Sequence, residues 1–302
     1  MNNSKQLLKS IAYWTLPPGI QNNLPGIYRR TIKKLTNINL AEVEMLAKKN
    51  SLLKNKHHGE RCFILATGPS IKEQDLSLLK GEICIGVSHF FLHKDIKIIR
   101  PQYHVLAPYH YPFNFDTLTK VFDGLNEHYS EDVNYFFGHT HYEYSIFNFL
   151  KENPQVRKKN TYFINYCYSQ VLNEHNYKNN NIWNICNSPF AIRTVIYIAI
   201  QIALYMGCKQ IYLLGCDHDY LNDTNRVTNH HFYKEEDGIS DAEHLSYFTT
   251  ERWFEEYYLR WHQYRLMREY AELKGCQIFN ATKGGMLDVF RRVDLSKLLQ
   301  DK

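Results

Sequence analysis

Several things are missing from this 302-residue chain. Its seven cysteines, Cys62, Cys84, Cys167, Cys186, Cys208, Cys216 and Cys276, include no Cys-x-x-Cys pair and lie mostly inside apolar runs. That excludes a zinc ribbon, argues against a disulfide scaffold and favours a reducing compartment. No apolar stretch approaches the roughly 20 residues of a membrane span. The longest, Val195 to Met206, carries Gln201. The first residues lack the unbroken apolar stretch and small-residue cleavage site of a secretory signal, so the expected location is cytoplasmic. There is no Walker loop, no G-x-G-x-x-G fingerprint, no internal repeat and no low-complexity tract. The net charge of +5 comes without a dense Lys/Arg stripe. A mild basic excess of that kind suits an anionic partner such as a nucleotide, a phosphosugar or a membrane surface, and does not call for nucleic acid.

What is present is an ordinary folding composition, 44% hydrophobic and 22% charged, long enough for one large α/β domain. No acidic residue precedes Glu42, and residues 1–56 mix Lys/Arg with Leu, Ile, Tyr and Trp. This segment reads either as a basic amphipathic arm, with residues 1–40 in peripheral contact with an anionic membrane, or as a helical extension packed on the domain. Residues 57–302 form the domain proper. "RCFILA", "EICIGVS", "IRPQYHVLAP", "DVNYFFGH", "KNTYFINY", "CKQIYLLGCD" and "CQIFNAT" read as strands. "SIKEQDLSLL" reads as a short helix with Ser70 as N-cap and Glu73 completing a capping box. "SPFAIRTVIYIAIQIALYMG" reads as a long helix with Ser188-Pro189 at its start. "TERWFEEYYLRWHQYRLMREYAELKG" reads as an amphipathic helix closed by Gly275. The stretch 109–180 has loop character beyond its strands. Alternating strands and helices predict an α/β, Rossmann-like, mostly parallel sheet with helices on both faces.

In such sheets ligands bind beyond the carboxyl ends of the strands. Three loops are nominated: Thr67-Gly68-Pro69-Ser70, Asp217-His218-Asp219-Tyr220, and Asn280-Ala281-Thr282 with Gly284-Gly285. Gly68 permits close backbone approach, and a following helix would offer free N–H groups to a phosphate; a capped turn explains the same residues. Two carboxylates and an imidazole directly after a buried strand are either paired or at work on a ligand. Asp217 and Asp219 form an Asp-x-Asp pattern able to hold Mg²⁺ or Mn²⁺ against a diphosphate. His230 and His231 follow, one of them a candidate base or phosphate donor. His89, His244 and His262 are further histidine candidates, with packing the simpler role for His262.

These motifs, in this order, resemble two related groups. "FILATGPSIKEQDLSLL" and "IAIQIALYMGCKQIYLLGCDHDY" resemble segments of the bacterial sialyltransferases of glycosyltransferase family 42. The same Gly-Pro-Ser start, with the tail "IFNATKGG", is similar to the motility-associated and archaeal pterin pyrophosphokinase-like proteins. The sialyltransferase resemblance implies a GT-A-variant glycosyltransferase fold and inverting, metal-independent transfer of a nonulosonic acid from a CMP donor to a glycan acceptor. It implies donor contacts at Gly68, Pro69 and Ser70, with Thr67 where the relatives carry Asn and Ser88 where a second Asn stands. It also implies phosphate contacts at Tyr220 and at Tyr233 or His231. Asn280 and Thr282 are expected at the donor from their place after the last strand. Asp217 matches the strand-end Asp, with His218 beside it, and His231 or His262 is the implied base. The rival reading is a metal-dependent nucleoside-diphosphate-sugar transferase or pyrophosphokinase using Asp217 and Asp219; a third is a non-catalytic subunit of a glycan-assembly complex.

Overall fold

The computed structural model describes residues 40–111, 113–222, 230–233 and 249–300. The chain divides into two units, residues 1–40 and residues 41–302. Residues 1–39 of the basic N-terminal segment lie outside the described residues, as does His244.

The second unit begins with helix α1 (Leu40–Lys48), which runs on as a 3-10 turn to Leu53. Its inner side buries Val43, Ala47, Asn50 and Leu53. Asn50 is tolerated there because its amide donates to the carbonyls of Phe163 at 2.9 Å and Ile185 at 2.7 Å. Five strands follow: β1 (Arg61–Leu65), β2 (Ile83–Val87), β3 (Tyr103–Leu106), β4 (Asn134–His139) and β5 (Thr161–Asn165). The chain then returns to the other side of β1 with β6 (Gln210–Leu214), β7 (Gln277–Asn280) and the two-residue β8 (Arg291–Arg292). The sheet order is β5-β4-β3-β2-β1-β6-β7-β8, and every pairing is parallel. The strands read as continuous apolar runs because both faces are covered. One core holds Ile64, Ile85 and Leu213 with the helices before β6 and β7; the other holds Phe63, Leu65 and Leu214 with the elements between β1 and β5.

Three local readings need correction. No α-helix follows β1: Pro69–Glu73 and Leu76–Leu79 are separate 3-10 turns, and Ser70 lies inside the first. Asp75 does the capping, accepting from the Ser77 amide at 3.0 Å. The long helix before β6, which would have begun at Ser188-Pro189, starts later. Residues 190–191 are tied by Phe190 N–H to Ile182 O and Ala191 N–H to Gln170 O. Thr194 then caps Val195–Tyr205. The stretch 109–180 is also more ordered than its composition suggests. It contains Ile146–Glu152 and, capped by Asn114, a helix at Phe115–His128 that buries Leu118, Val121, Phe122 and Leu125. In chain order the α-helices after α1 are α2 (Ile96–Ile99), α3 (Phe115–His128), α4 (Ile146–Glu152), α5 (Val195–Tyr205), α6 (Thr250–Leu273) and α7 (Leu295–Gln300). Among the described residues no helix is long and apolar enough to cross a membrane.

Candidate functional site

The strand order reverses between β1 and β6. At such a switch point the loops leaving two adjacent strands go to opposite faces and open a crevice. The loops there are Thr67–Ser70 and Gly215–Tyr220, two of the three that the sequence nominates.

Asp217 links them. Its Oδ1 accepts from the Ser70 amide at 3.3 Å, and the Gly68 amide donates to the Gly215 carbonyl at 2.9 Å. Gly68 has ordinary backbone angles, so its need is for space. A Cβ there would lie 1.9 Å from Asp217 Oδ2 and 2.4 Å from the Gly215 carbonyl oxygen. On the other side a Cβ at Gly285 would meet the Asp217 carbonyl oxygen at 2.6 Å, and Gly285 also takes a left-handed φ of +71°. Met286 N–H donates to that same carbonyl at 2.7 Å. Asp217 is thus wedged between two glycine loops, 5% exposed, with Oδ2 lacking a hydrogen-bond partner among the described residues. Burial raises its carboxyl pKa; the Ser70 hydrogen bond opposes the shift and Asp219 adds to it.

The third loop completes this wedge from within. Asn280 is fully buried, donates to Leu287 O at 2.7 Å and accepts from Thr282 N–H at 2.9 Å. Thr282 Oγ1 accepts from the Cys216 amide at 3.0 Å. Both side chains are engaged within the turn. Arg292 on β8 gathers the carbonyls of Thr282, Gly284, Gly285 and Leu287. The sequence reading missed Arg292, because β8 is too short to show a pattern.

His218 also turns away from solvent. It is 8% exposed, with Nε2 2.9 Å from Tyr264 OH on α6. Its carbonyl accepts from Tyr257 OH at 3.0 Å. Burial, with the nearby Arg260 charge, pushes its pKa down to about 3. A neutral imidazole locked to a helix joins β6 to α6. Tyr220 stays on this flank, its ring stacked on Trp253 at 6.1 Å and 4.6 Å from His230.

The opposite flank gathers different residues. His231 Nδ1 lies 3.0 Å from Thr67 Oγ1, and Phe232 N–H donates to Thr67 O at 2.8 Å. The His231 ring stacks on Tyr233 with centroids 5.0 Å apart and planes 8° apart. Tyr233 OH lies 3.2 Å from His89 Nδ1. Burial, then the His231 charge, lowers the His89 pKa to about 4. Ser88, before His89, holds a left-handed φ of +51°, as His218 does at +50°. Such strain in non-glycine residues costs about 1 kcal/mol or more and clusters at functional sites.

Two expected participants do not join. His262 on α6 contacts Arg265, Glu174 and Tyr258, none of which belongs to the crevice, because its turn of the helix faces the segment around Glu174. Asp217 and Asp219 do not offer the open oxygen cage that Mg²⁺ or Mn²⁺ takes. One Asp217 oxygen is engaged by Ser70 N–H and the other is covered by Gly68. No group of three or more His, Cys, Asp or Glu among the described residues is placed to hold a metal ion.

Among solved structures, the chain is similar to the sialyltransferase CstII from Campylobacter jejuni in complex with cytidine-5'-monophosphate. The identity is 15%, over 78% of this chain and 85% of that one, with a TM-score of 0.45. The same enzyme with CMP-3FNeuAc gives 14%, 78%, 86% and 0.43. The monofunctional alpha-2,3-sialyltransferase Cst-I of the same organism gives 16%, 76%, 78% and 0.38. A comparison with curated protein sequences finds no match. Residues 34–223, more than half of the chain, match the family described as 6-hydroxymethylpterin diphosphokinase MptE-like, and the chain belongs to this MptE-like family.

Proposed function

We propose that the protein is an inverting glycosyltransferase of bacterial surface-glycan assembly that moves an acidic, nonulosonic-type sugar from a CMP donor to a glycan hydroxyl. The observation that carries this reading is the His231–Thr67 contact at the mouth of the β1/β6 crevice. A base at His231 Nε2 needs its ring proton on Nδ1, and Thr67 Oγ1 is placed to accept a hydrogen bond from that N–H. The imidazole then takes the acceptor hydroxyl's proton as that oxygen bonds to the sugar's anomeric carbon and the bond to the CMP phosphate breaks. Tyr233, stacked on the same ring, supplies a phenol beside the departing phosphate.

A second reading has one observation in its favour: the family's description names a diphosphokinase. In that reading a diphosphate passes from ATP to a pterin hydroxyl with AMP leaving, and Asp217 would have to open from its Ser70 and Gly68 contacts to hold Mg²⁺ together with Asp219. One experiment separates the two. Purified chain is screened for turnover of CMP-N-acetylneuraminate and of ATP with a pterin alcohol, with and without EDTA, alongside Asp217→Asn. Turnover of the CMP-sugar, indifferent to EDTA and within about threefold of wild type in Asp217→Asn, supports the glycosyltransferase. ATP turnover abolished by EDTA and cut by about 100-fold or more in Asp217→Asn supports the diphosphokinase.

A further inference from the structure

We propose that Arg260 is the anion-recognising residue of the crevice and that it takes the carboxylate of the transferred sugar, an inference that rests on the glycosyltransferase reading. Arg260 lies on α6, and its Nε and Nη1 are buried without a hydrogen-bond partner among the described residues. The acid one turn away cannot serve it. Glu256 accepts from Arg193 Nη1 at 2.6 Å through one oxygen and pairs with Arg252 Nη2 at 2.6 Å through the other. Arg193, at the foot of α5, also has a buried Nε without a partner. Among the described residues, Glu256 is thus taken by Arg193 and Arg252, while Arg193 Nε and Arg260 Nε and Nη1 stay unpaired. Leaving buried guanidinium N–H groups unpaired is costly, which makes these donors selective for an anion.

The position fits the crevice. A 24-residue helix spans about 36 Å, and a five-residue strand about 17 Å. Because α6 ends beside the start of β7, its first half rises past the strand ends and walls the site. Tyr257 fixes the level: its hydroxyl donates to the carbonyl of His218, the residue after Asp217, and its ring lies 5.7 Å from the Arg260 guanidinium carbon. Tyr197 OH, on α5, holds the Arg260 carbonyl at 2.8 Å. Thr67, His231 and Tyr233 stand on the opposite flank. A donor whose phosphate lies toward them presents its sugar toward α6. A planar guanidinium with free in-plane donors suits a carboxylate.

Calorimetry on the full chain tests this with CMP, the non-transferable CMP-3FNeuAc and the methyl ester of that analogue. Wild type is expected to bind the acid about tenfold more tightly than the ester, the worth of one charge-assisted contact. In Arg260→Gln acid and ester bind alike, while the affinity for CMP is kept. Arg260→Lys, which keeps a cation, retains part of the preference. Arg260→Gln is also expected to melt no lower than wild type, since it removes an unpaired charge. A tenfold preference that survives Arg260→Gln overturns the proposal. So does parallel loss of CMP and CMP-3FNeuAc binding, which would make Arg260 a phosphate ligand. If wild type binds no cytidine nucleotide, the glycosyltransferase reading fails separately. The pocket is then read by thermal shift with free N-acetylneuraminate and its methyl ester: stabilisation by the acid alone, lost in Arg260→Gln, supports it, and equal responses overturn it.

Discussion

The two flanks of the crevice have nearly the same vocabulary and opposite uses for it. After β6, Asp217 and His218 are sealed: one between Gly68 and Gly285, the other against Tyr264. After β1, Thr67 meets His231, which stacks on Tyr233, and both rings are only partly buried. A polar run after a buried strand therefore does not by itself announce chemistry. Carboxylate and imidazole can serve as masonry when a glycine or a helix closes over them. The reacting group is then to be sought where side chains from distant segments meet at the surface of the crevice.

The sharpest way to break this contrast is at His231. Replacement by Gln is expected to cut transfer by about 100- to 10,000-fold, the usual worth of a general base. The same change at His218 should act mainly through stability. Kinetics on both variants, with melting curves beside them, would reverse the assignment if His218→Gln lost turnover at unchanged stability.

A smaller effect is expected at Gly68. Gly68→Ala forces a Cβ into Asp217 and the Gly215 carbonyl, and should cost roughly 2–4 kcal/mol by chemical denaturation. Part of that loss should return in Gly68→Ala/Asp217→Ala, because the side-chain clash disappears while the one with the backbone oxygen stays. An additive double mutant would show that the two residues do not press on one another.

A third effect is a pH slope, in which each single histidine contributes a small share. Burial lowers His104 to about 3, His139 to about 4 and His218 to about 3. Unfolded, each titrates near 6.5, so between about pH 6.5 and 4 the unfolded chain binds more protons than the folded one. Stability therefore falls as pH drops through that window, at about 1.4 kcal/mol per pH unit for each fully resisting histidine. Denaturant titrations at stepped pH read the slope, and His218→Gln should make it shallower.

Much of the sheet was legible because β1 to β7 are buried on both faces and read as apolar runs. The crevice loops followed from position alone. The His231–Thr67 contact was not legible as a pair: the two residues are 164 positions apart and nothing local ties them together. Helix α3 was hidden because half of its surface is solvated, which dilutes the composition although Leu118, Val121, Phe122 and Leu125 keep helical spacing. The turn after β1 misled because Ser70 and Glu73 have capping-box spacing, while the Ser70 amide is already taken by Asp217. His262 stood out by residue type, and only its neighbours reveal a surface role.

The wedge at Asp217 also bears on how the chain can be divided. The family match ends at residue 223, so a fragment cut there keeps β1 to β6 and both crevice loops. It would lose Gly285 and Met286, which hold the Asp217 backbone, and Arg292, which holds their turn. The first loop of the domain thus depends on residues more than 200 positions downstream. Expression trials, split reporters and truncation libraries built on the family boundary would yield a sheet with an unlatched mouth.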